Sequence, residues 1–177
     1  PWAEVVRELA QSAGLSMPYE SEEATEYRKQ TLRKQEGWLL LESFFHQLLL
    51  EDPLAADHRA YLFARGFSME MQAQTALGFF PGEARTRAYL LAAGLENDLA
   101  DSLLTAFPAD PAFNLAIPAG DELGRTNGFI LRNIAPKSPQ DRYRYTVGYE
   151  KAAQLFHFNR RWAPEQPLIL VEGQLDC

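Results

Sequence analysis

Apolar residues in the first half of the chain recur at helical spacing, and charged or turn-forming stretches separate them. The opening stretch, "PWAEVVRELAQSAGL", predicts a helix that ends at Gly14. A second, long helix is predicted to begin in charged sequence and to become apolar through "GWLLLESFFHQLLL". Its predicted buried stripe comprises Trp38, Leu41, Phe44, Phe45 and Leu48. Asp52-Pro53 is expected to end this helix, because proline interrupts helical hydrogen bonding.

Shorter helices are predicted to follow the long one. The stretch "AADHRAYLFAR" favours a helix that ends at Gly66, because glycine adopts left-handed backbone at little cost. Ser68 is the expected N-cap of the next helix, which ends before Gly78. Two more helical stretches, at about 83–94 and 97–106, complete a helix-rich half.

From Phe113 the pattern changes to short apolar runs. "FNLAIPA" and "GFILRNI" are predicted strands, and "GDELGRTNG" between them suits a hairpin turn. In "RYRYTVG", basic and aromatic residues alternate, so a strand would send them to opposite faces. "AAQLFHF" and "PLILVEG" are further candidate strands. The sequence thus predicts an α+β fold with a small mixed sheet, divided into a helix-rich part (1–110), a β-rich part (111–164) and the start of a further domain (165–177).

Charge is distributed unevenly along the chain, whose net charge is −7. Residues 1–110 contain 9 Lys or Arg and 17 Asp or Glu, whereas residues 111–177 contain 8 and 7. The window 125–161 carries a net charge of +6, and its acids are Asp141 and Glu150. Binding to a polyanion depends on the local field, so this window is a candidate nucleic-acid surface. The alternative is a basic surface that merely balances the acidic half.

Several classes of protein do not fit the composition. No secretory signal is visible, and no run of about 18 apolar residues could span a bilayer. The chain has one cysteine, Cys177, so no internal disulfide can form, and a cytoplasmic location is expected. The histidines, His46, His58 and His157, are far apart and predict no zinc site; each is expected at the surface or half-buried.

The closing stretch "PLILVEGQLDC" places carboxylates directly after an apolar strand. Glu172 and Asp176 would lie at the strand's end, where ligands bind in open α/β sheets. Carboxylates there could bind Mg²⁺ together with substrate phosphates, and Glu172 could act as a general base. The alternative is a strand that ends in an ordinary polar turn.

Four stretches, in order, resemble one protein family. "VEGQLD" is similar to the first motif of the TOPRIM domain, which primases, topoisomerases and some nucleases share. "FFHQLLLEDPLAADHRAYLFARGFSMEMQAQTALGFFPG" resembles the bacterial DnaG-type primases, which have a "YLxxRG" turn and an "xLGFxP" ending. "AIPAGDELGRTNGFILR" is similar to their "PIRDxxGxxxGFGGR". "YRYTVGYEKAAQLF" is similar to their "PKYLNSPET..FHKGRQLYG".

The resemblance implies a core that synthesises short RNA primers from nucleoside triphosphates on single-stranded DNA. Its TOPRIM site would use Mg²⁺ or Mn²⁺, with Glu172 catalytic and Glu172 and Asp176 as metal ligands. Zn²⁺ would belong only to an upstream ribbon, and a replicative helicase would bind a C-terminal region; both regions are outside this chain. No membrane partner is implied.

The resemblance also implies a basic groove that guides template and primer. Arg132, Arg144 and Lys151 match its cations, and Arg142 and Lys137 are competing matches for the lysine of "PKY". The chain departs from the family because "GFILR" lacks the second glycine pair. "RYRYTVGYE" also stands where the family has "PKYLNSPET". Arginine offers a planar fork where lysine offers a point charge, so the exchange is not neutral.

No Asp-x-Asp pair of the kind that completes a TOPRIM site is visible in the sequence. We therefore expect a fragment that is inactive in primer synthesis by itself. Two other hypotheses remain open from the sequence. One is a non-catalytic replication or mobile-element relative that keeps the DNA-binding part. The other is a different TOPRIM enzyme, a nuclease or topoisomerase, which accounts for "VEGQLD" but not for the other stretches.

Overall fold

The computed structural model describes residues 2–15, 22–121, 123–148 and Leu175. The chain divides into two compact units, Pro1–Arg33 and Lys34–Cys177. In the first unit, helix α1 spans Trp2–Ser12. Gly14 follows it with a φ of +69°, and the backbone N–H of Leu15 donates to the Ala10 carbonyl at 2.9 Å. The predicted first helix and its end at Gly14 are therefore confirmed.

Helix α2 spans Glu22–Glu51 and ends where Asp52-Pro53 was expected to end it. All five residues of its predicted apolar stripe are buried. The Asp52 carboxylate accepts a hydrogen bond from the Leu54 N–H at 2.8 Å and so caps a 3-10 turn at Pro53–Ala55. That bond, followed by an ion pair with Arg85, holds the pKa of Asp52 below its usual value.

The remaining helices lie close to their predicted positions. Helix α3 spans Ala56–Ala64, α4 Met69–Gln74, α5 Glu83–Ala92 and α6 Asn97–Leu104. The Ser68 hydroxyl accepts from the Met71 N–H at 3.2 Å, which confirms the predicted N-cap of α4. Within the described residues, the helices lack the combination of length and hydropathy that crossing a membrane requires.

The described strands form one antiparallel sheet in the order β1-β2-β3-β4. β1 spans Gly78–Phe79, β2 Leu115–Gly120, β3 Thr126–Arg132 and β4 Tyr143–Tyr145. The α+β class and the strands β2, β3 and β4 were predicted. The candidate strands "AAQLFHF" and "PLILVEG" lie outside the described residues.

Strand β1 was not predicted from the sequence. Gly78 pairs with Ala116 and Phe79 with Leu115, so two residues from the helix-rich half extend the sheet. A strand of two residues is too short to show an alternating pattern, and helices flank it on both sides. The helices from Lys34 onward and the sheet consequently belong to one compact unit.

A tight turn joins β2 to β3, as the "GDELGRTNG" stretch predicted. The Asp121 carboxylate accepts hydrogen bonds from the N–H groups of Leu123 and Arg125 at 2.9 and 3.0 Å. Gly124 takes the positive φ of +75° that the turn requires. This turn fixes the register in which Leu115 pairs with Arg132 at the other end of the hairpin.

Phe45 of α2 is the centre of the aromatic core. Its ring lies 5.2 Å from the ring of Phe129 on β3, 5.5 Å from Phe80 and 5.7 Å from Phe107. A Cβ added at Gly78 would lie 2.6 Å from the Phe45 Cβ and 2.8 Å from its carbonyl carbon. Helix α2 therefore packs directly on the backbone of β1.

Replacing Gly78 with alanine should lower the free energy of unfolding by about 1–3 kcal/mol, because the added methyl group meets helix backbone. Urea denaturation of the purified chain measures this. Gly37→Ala is the matched control: its methyl group would meet only side-chain ends of Leu103 and Leu95. Alanine also favours a helix by about 1 kcal/mol over glycine. Equal losses in the two variants would contradict the close packing of α2 on β1.

Candidate nucleic-acid interface

Four of the five cations predicted to bind DNA lie on one continuous stretch, residues 132–144. The stretch comprises the end of β3, a loop with a 3-10 turn at Pro139–Asp141, and β4. It contains Arg132, Lys137, Arg142 and Arg144, and its single acid is Asp141. The hairpin and the pairing of β3 with β4 thus collect these cations at one end of the sheet.

The sequence predicted that Arg132 lines a basic groove, but its side chain is buried and only 7% exposed. Its guanidinium carbon lies 4.7 Å from the ring centre of Tyr143 and 5.3 Å from that of Tyr61. It also donates a hydrogen bond to the Tyr143 hydroxyl. Arg132 and Tyr143 pair directly across β3 and β4, which places both side chains on one face. The guanidinium therefore links α3 to β4, and its contact with DNA stays a prediction.

Arg144 lies on the edge strand β4 and is exposed, as the alternation in "RYRY" predicted, while Tyr143 and Tyr145 are half-buried against the core. Its guanidinium carbon lies 4.5 Å from the centre of the Phe113 ring. It donates to the Gln140 carbonyl at 3.0 Å and lies 3.7 Å from an oxygen of Asp141. These contacts hold the charge in place and leave about half of the side chain open to solvent.

Lys137 and Arg142 are both exposed on the loop between β3 and β4. Neither side chain has a hydrogen bond or ion pair with another residue that the structure describes. The loop itself is tied to the sheet, because the Asn133 N–H donates to the Arg142 carbonyl at 3.0 Å. Both cations are therefore available to an anionic ligand.

Next to these cations lies a cleft of about 660 Å³ that the sequence did not predict. The first turn of α3, the segment before β2 and the segment after β3 form its walls. Its polar lining comprises Asp57, His58, Asp110, Asn114, Asn133, Lys137 and Asp141. These residues come from three separate parts of the chain, and no local sequence pattern relates them.

His58 is buried, whereas the sequence predicted a position at the surface or half-buried. Its Nε2 donates to the Asn114 side-chain oxygen at 2.7 Å, and its ring lies 4.8 Å from the ring of Phe79. Nδ1 is buried without a hydrogen-bond partner among the described residues. Burial, which outweighs the bond to Asn114, lowers the pKa of His58. The ring is therefore held neutral with its proton on Nε2.

The remaining predicted site residues, Lys151, Glu172 and Asp176, lie outside the described residues. Within the described part of the chain, no group of three or more histidine, cysteine, aspartate or glutamate side chains could hold a metal ion. The predicted site for Mg²⁺ or Mn²⁺ consequently rests on the two carboxylates of "VEGQLD". Leu175, which lies between them, is buried in the core of the second unit.

The chain is similar in sequence to several bacterial DNA primases. The chain is 34% identical over 147 residues to the DNA primase of Chlamydia pneumoniae, an alignment that covers 77% of this chain and 24% of that protein. It is 30% identical over 201 aligned positions to the DNA primase of Escherichia coli K12, with 99% of this chain and 32% of the relative covered. No protein-family profile matches the chain.

Comparison with solved structures gives the same family. A DnaG primase catalytic domain bound to single-stranded DNA is 27% identical with a TM-score of 0.54, covering 73% of this chain and 43% of that one. The catalytic core of the E. coli primase is 26% identical with a TM-score of 0.51, covering 69% and 42%. The chain belongs to the bacterial DnaG-type primases.

This membership confirms the resemblance found in the sequence, and the chain spans about a third or less of the length of the primases that it matches. The structure shows where the two stretches that depart from the family pattern lie in the sheet. "GFILR" forms the buried strand β3, and its arginine is the buried Arg132. Of "RYRY", the last three residues form β4, the outermost of the described strands, which exposes Arg144, and Arg142 lies on the loop before it.

His58 should make the free energy of unfolding depend on pH. Because its folded pKa lies below the unfolded value of 6.5, the unfolded chain binds the proton more readily, and the free energy of unfolding should fall as the pH drops below that value. Urea denaturation at about pH 7.5 and about pH 5.5 measures the fall. His58→Gln keeps a donor for Asn114 and removes the titration, so its stability should decline less; an equal decline would contradict the assignment.

Proposed function

We propose that residues 132–144 form the template-guiding surface of a DNA primase that makes RNA primers on single-stranded DNA. The observation that carries the proposal is the gathering of Lys137, Arg142 and Arg144 on one loop and its edge strand, with their charges open to solvent. A DnaG catalytic domain of the same family has been solved bound to single-stranded DNA, which supports this assignment.

The exposed cations suit phosphate recognition. Arginine and lysine supply most contacts to a nucleic-acid backbone, and each contact releases a counterion from a single strand. Arg144 is stacked on Phe113 and braced by Gln140, so little side-chain entropy is lost when it binds a phosphate. On the same loop, Lys137 supplies a compact ammonium charge, and Arg142 supplies a planar guanidinium with several hydrogen-bond donors.

We further propose that the parent enzyme carries out nucleotidyl transfer at a TOPRIM site that begins in this chain. Glu172 and Asp176 would hold Mg²⁺ or Mn²⁺, because hard divalent cations prefer carboxylate oxygens. The metal would neutralise charge on the nucleoside triphosphate during phosphoryl transfer. The role proposed for the described residues is separate: they bind the template strand and hold it near the start of that domain.

Single-stranded DNA binding tests the proposal, with fluorescence anisotropy of a labelled oligonucleotide and the 177-residue chain. If Lys137, Arg142 and Arg144 each contact a phosphate, log K should fall with log salt at a slope of about 2, because each contact to a single strand contributes about 0.7. Lys137→Ala, Arg142→Ala and Arg144→Ala should each weaken binding and reduce the slope by about 0.7. Binding that ignores salt concentration would contradict the proposal.

The matched control is Arg87→Ala. The Arg87 guanidinium on α5 is already bound by Asp101 at 2.8 Å and by Asn97 at 3.1 Å. Its loss removes one positive charge from the chain without touching residues 132–144, so the salt slope should stay unchanged. A reduction equal to that of Arg144→Ala would mean that total charge, not this surface, governs binding. Arg132→Ala is a poor probe, because it also removes the contacts to Tyr61 and Tyr143.

A further inference from the structure

The cleft beside the cations has the size and position of a ligand site. At about 660 Å³ it falls within the range of roughly 300–1,000 Å³ that is usual for pockets binding small organic groups. Lys137 lines it directly, and Asp141 and Phe113, which both contact Arg144, form part of its wall. A strand whose phosphates meet Lys137 and Arg144 would therefore lie beside the cleft.

Two side-chain amides in the cleft are held in fixed orientations. The Asn114 oxygen accepts from His58 Nε2 at 2.7 Å, and the Asn133 oxygen accepts from the Ala135 N–H at 2.9 Å. With both oxygens bound, the amide nitrogens are left as hydrogen-bond donors without a partner in the described part of the chain. His58 is buried and neutral, so it fixes Asn114 without adding charge.

Carboxylates supply acceptors to the same cleft. Asp57 lies at the start of α3, and Asp110 uses one oxygen to accept from the Ala112 N–H at 3.0 Å, which leaves its other oxygen available. A free phosphate would be repelled by these acids. A divalent cation is also a poor match, because the described residues contain no group of three histidine, cysteine, aspartate or glutamate side chains that could hold a metal ion. A neutral group that carries both donors and acceptors fits best.

We propose that this cleft binds one unstacked nucleobase of the single-stranded template. The edge of every base presents both hydrogen-bond donors and acceptors, which the carboxylates and the fixed amides complement. The phosphates on either side of that base meet Lys137 and Arg144. The inference rests on the proposed function, and it assigns Asn114 and Asn133 a role in base contact that is separate from the phosphate contacts.

The test compares two oligonucleotides of equal length and charge with the 177-residue chain: a deoxythymidine tract and a tract of abasic residues. Asn114→Asp and Asn133→Asp each keep the internal acceptor and remove the amide donor. Each should reduce the affinity ratio of intact to abasic DNA by about three- to tenfold. Because repulsion from the added charge acts on both oligonucleotides, it cancels in the ratio.

Asn97→Asp is the matched control, because Asn97 lies on α6 and its oxygen accepts from Arg87. Its affinity ratio should equal that of the unchanged chain. Unaltered ratios in both cleft variants, with salt-sensitive DNA binding intact, would overturn the base site and leave the proposed function standing. Failure of the unchanged chain to bind either oligonucleotide would overturn the proposed function itself. Tracts of deoxyadenosine and deoxycytidine then measure which base the cleft prefers.

Discussion

The close contact between Phe45 and the backbone of β1 organises the second unit. Glycine at position 78 lets helix α2 approach the sheet, and the Phe45 ring then reaches Phe80, Phe107 and Phe129. Aromatic pairs of this geometry contribute beyond their buried area. Because β1 is held against α2, β2 pairs with it in a fixed register, and β3 and β4 follow outward from that edge.

The register of the hairpin determines which charges reach solvent. Pairing Arg132 with Tyr143 turns that guanidinium inward, whereas the next residue, Arg144, pairs with Leu131 and points to the other face. A shift of one residue would exchange them, burying Arg144 and exposing Arg132. The tight turn at Asp121 and Gly124 thus influences, through the seven residues of β3, which of these two arginines is exposed on the candidate interface.

Much of the fold was predictable because its signals are local. Ser68, Gly14 and Asp52-Pro53 mark helix ends by their own backbone chemistry, and the alternation in "RYRY" gave the strand and its exposed face. The burial of Arg132 was not predictable, because it depends on Tyr61, which lies far away in sequence. The short strand β1 and the cleft also depend on contacts between distant segments. Sequence patterns of 3.6 or 2 residues contain no information about these.

The electrostatic design follows from where the acids are placed. Residues 1–110 hold most of the negative charge, while the stretch 132–144 holds four cations and one acid. At physiological salt, charges farther apart than a Debye length of about 8 Å are largely screened. On the proposed function, a strand of DNA on the loop would therefore respond to the charges near it and not to the net charge of −7. These charges are the cations Lys137, Arg142 and Arg144 and the acids Asp57 and Asp110, which line the cleft with Lys137. Phosphate contacts of this kind fix position without reading sequence, so any preference for a base has to come from a site such as the cleft.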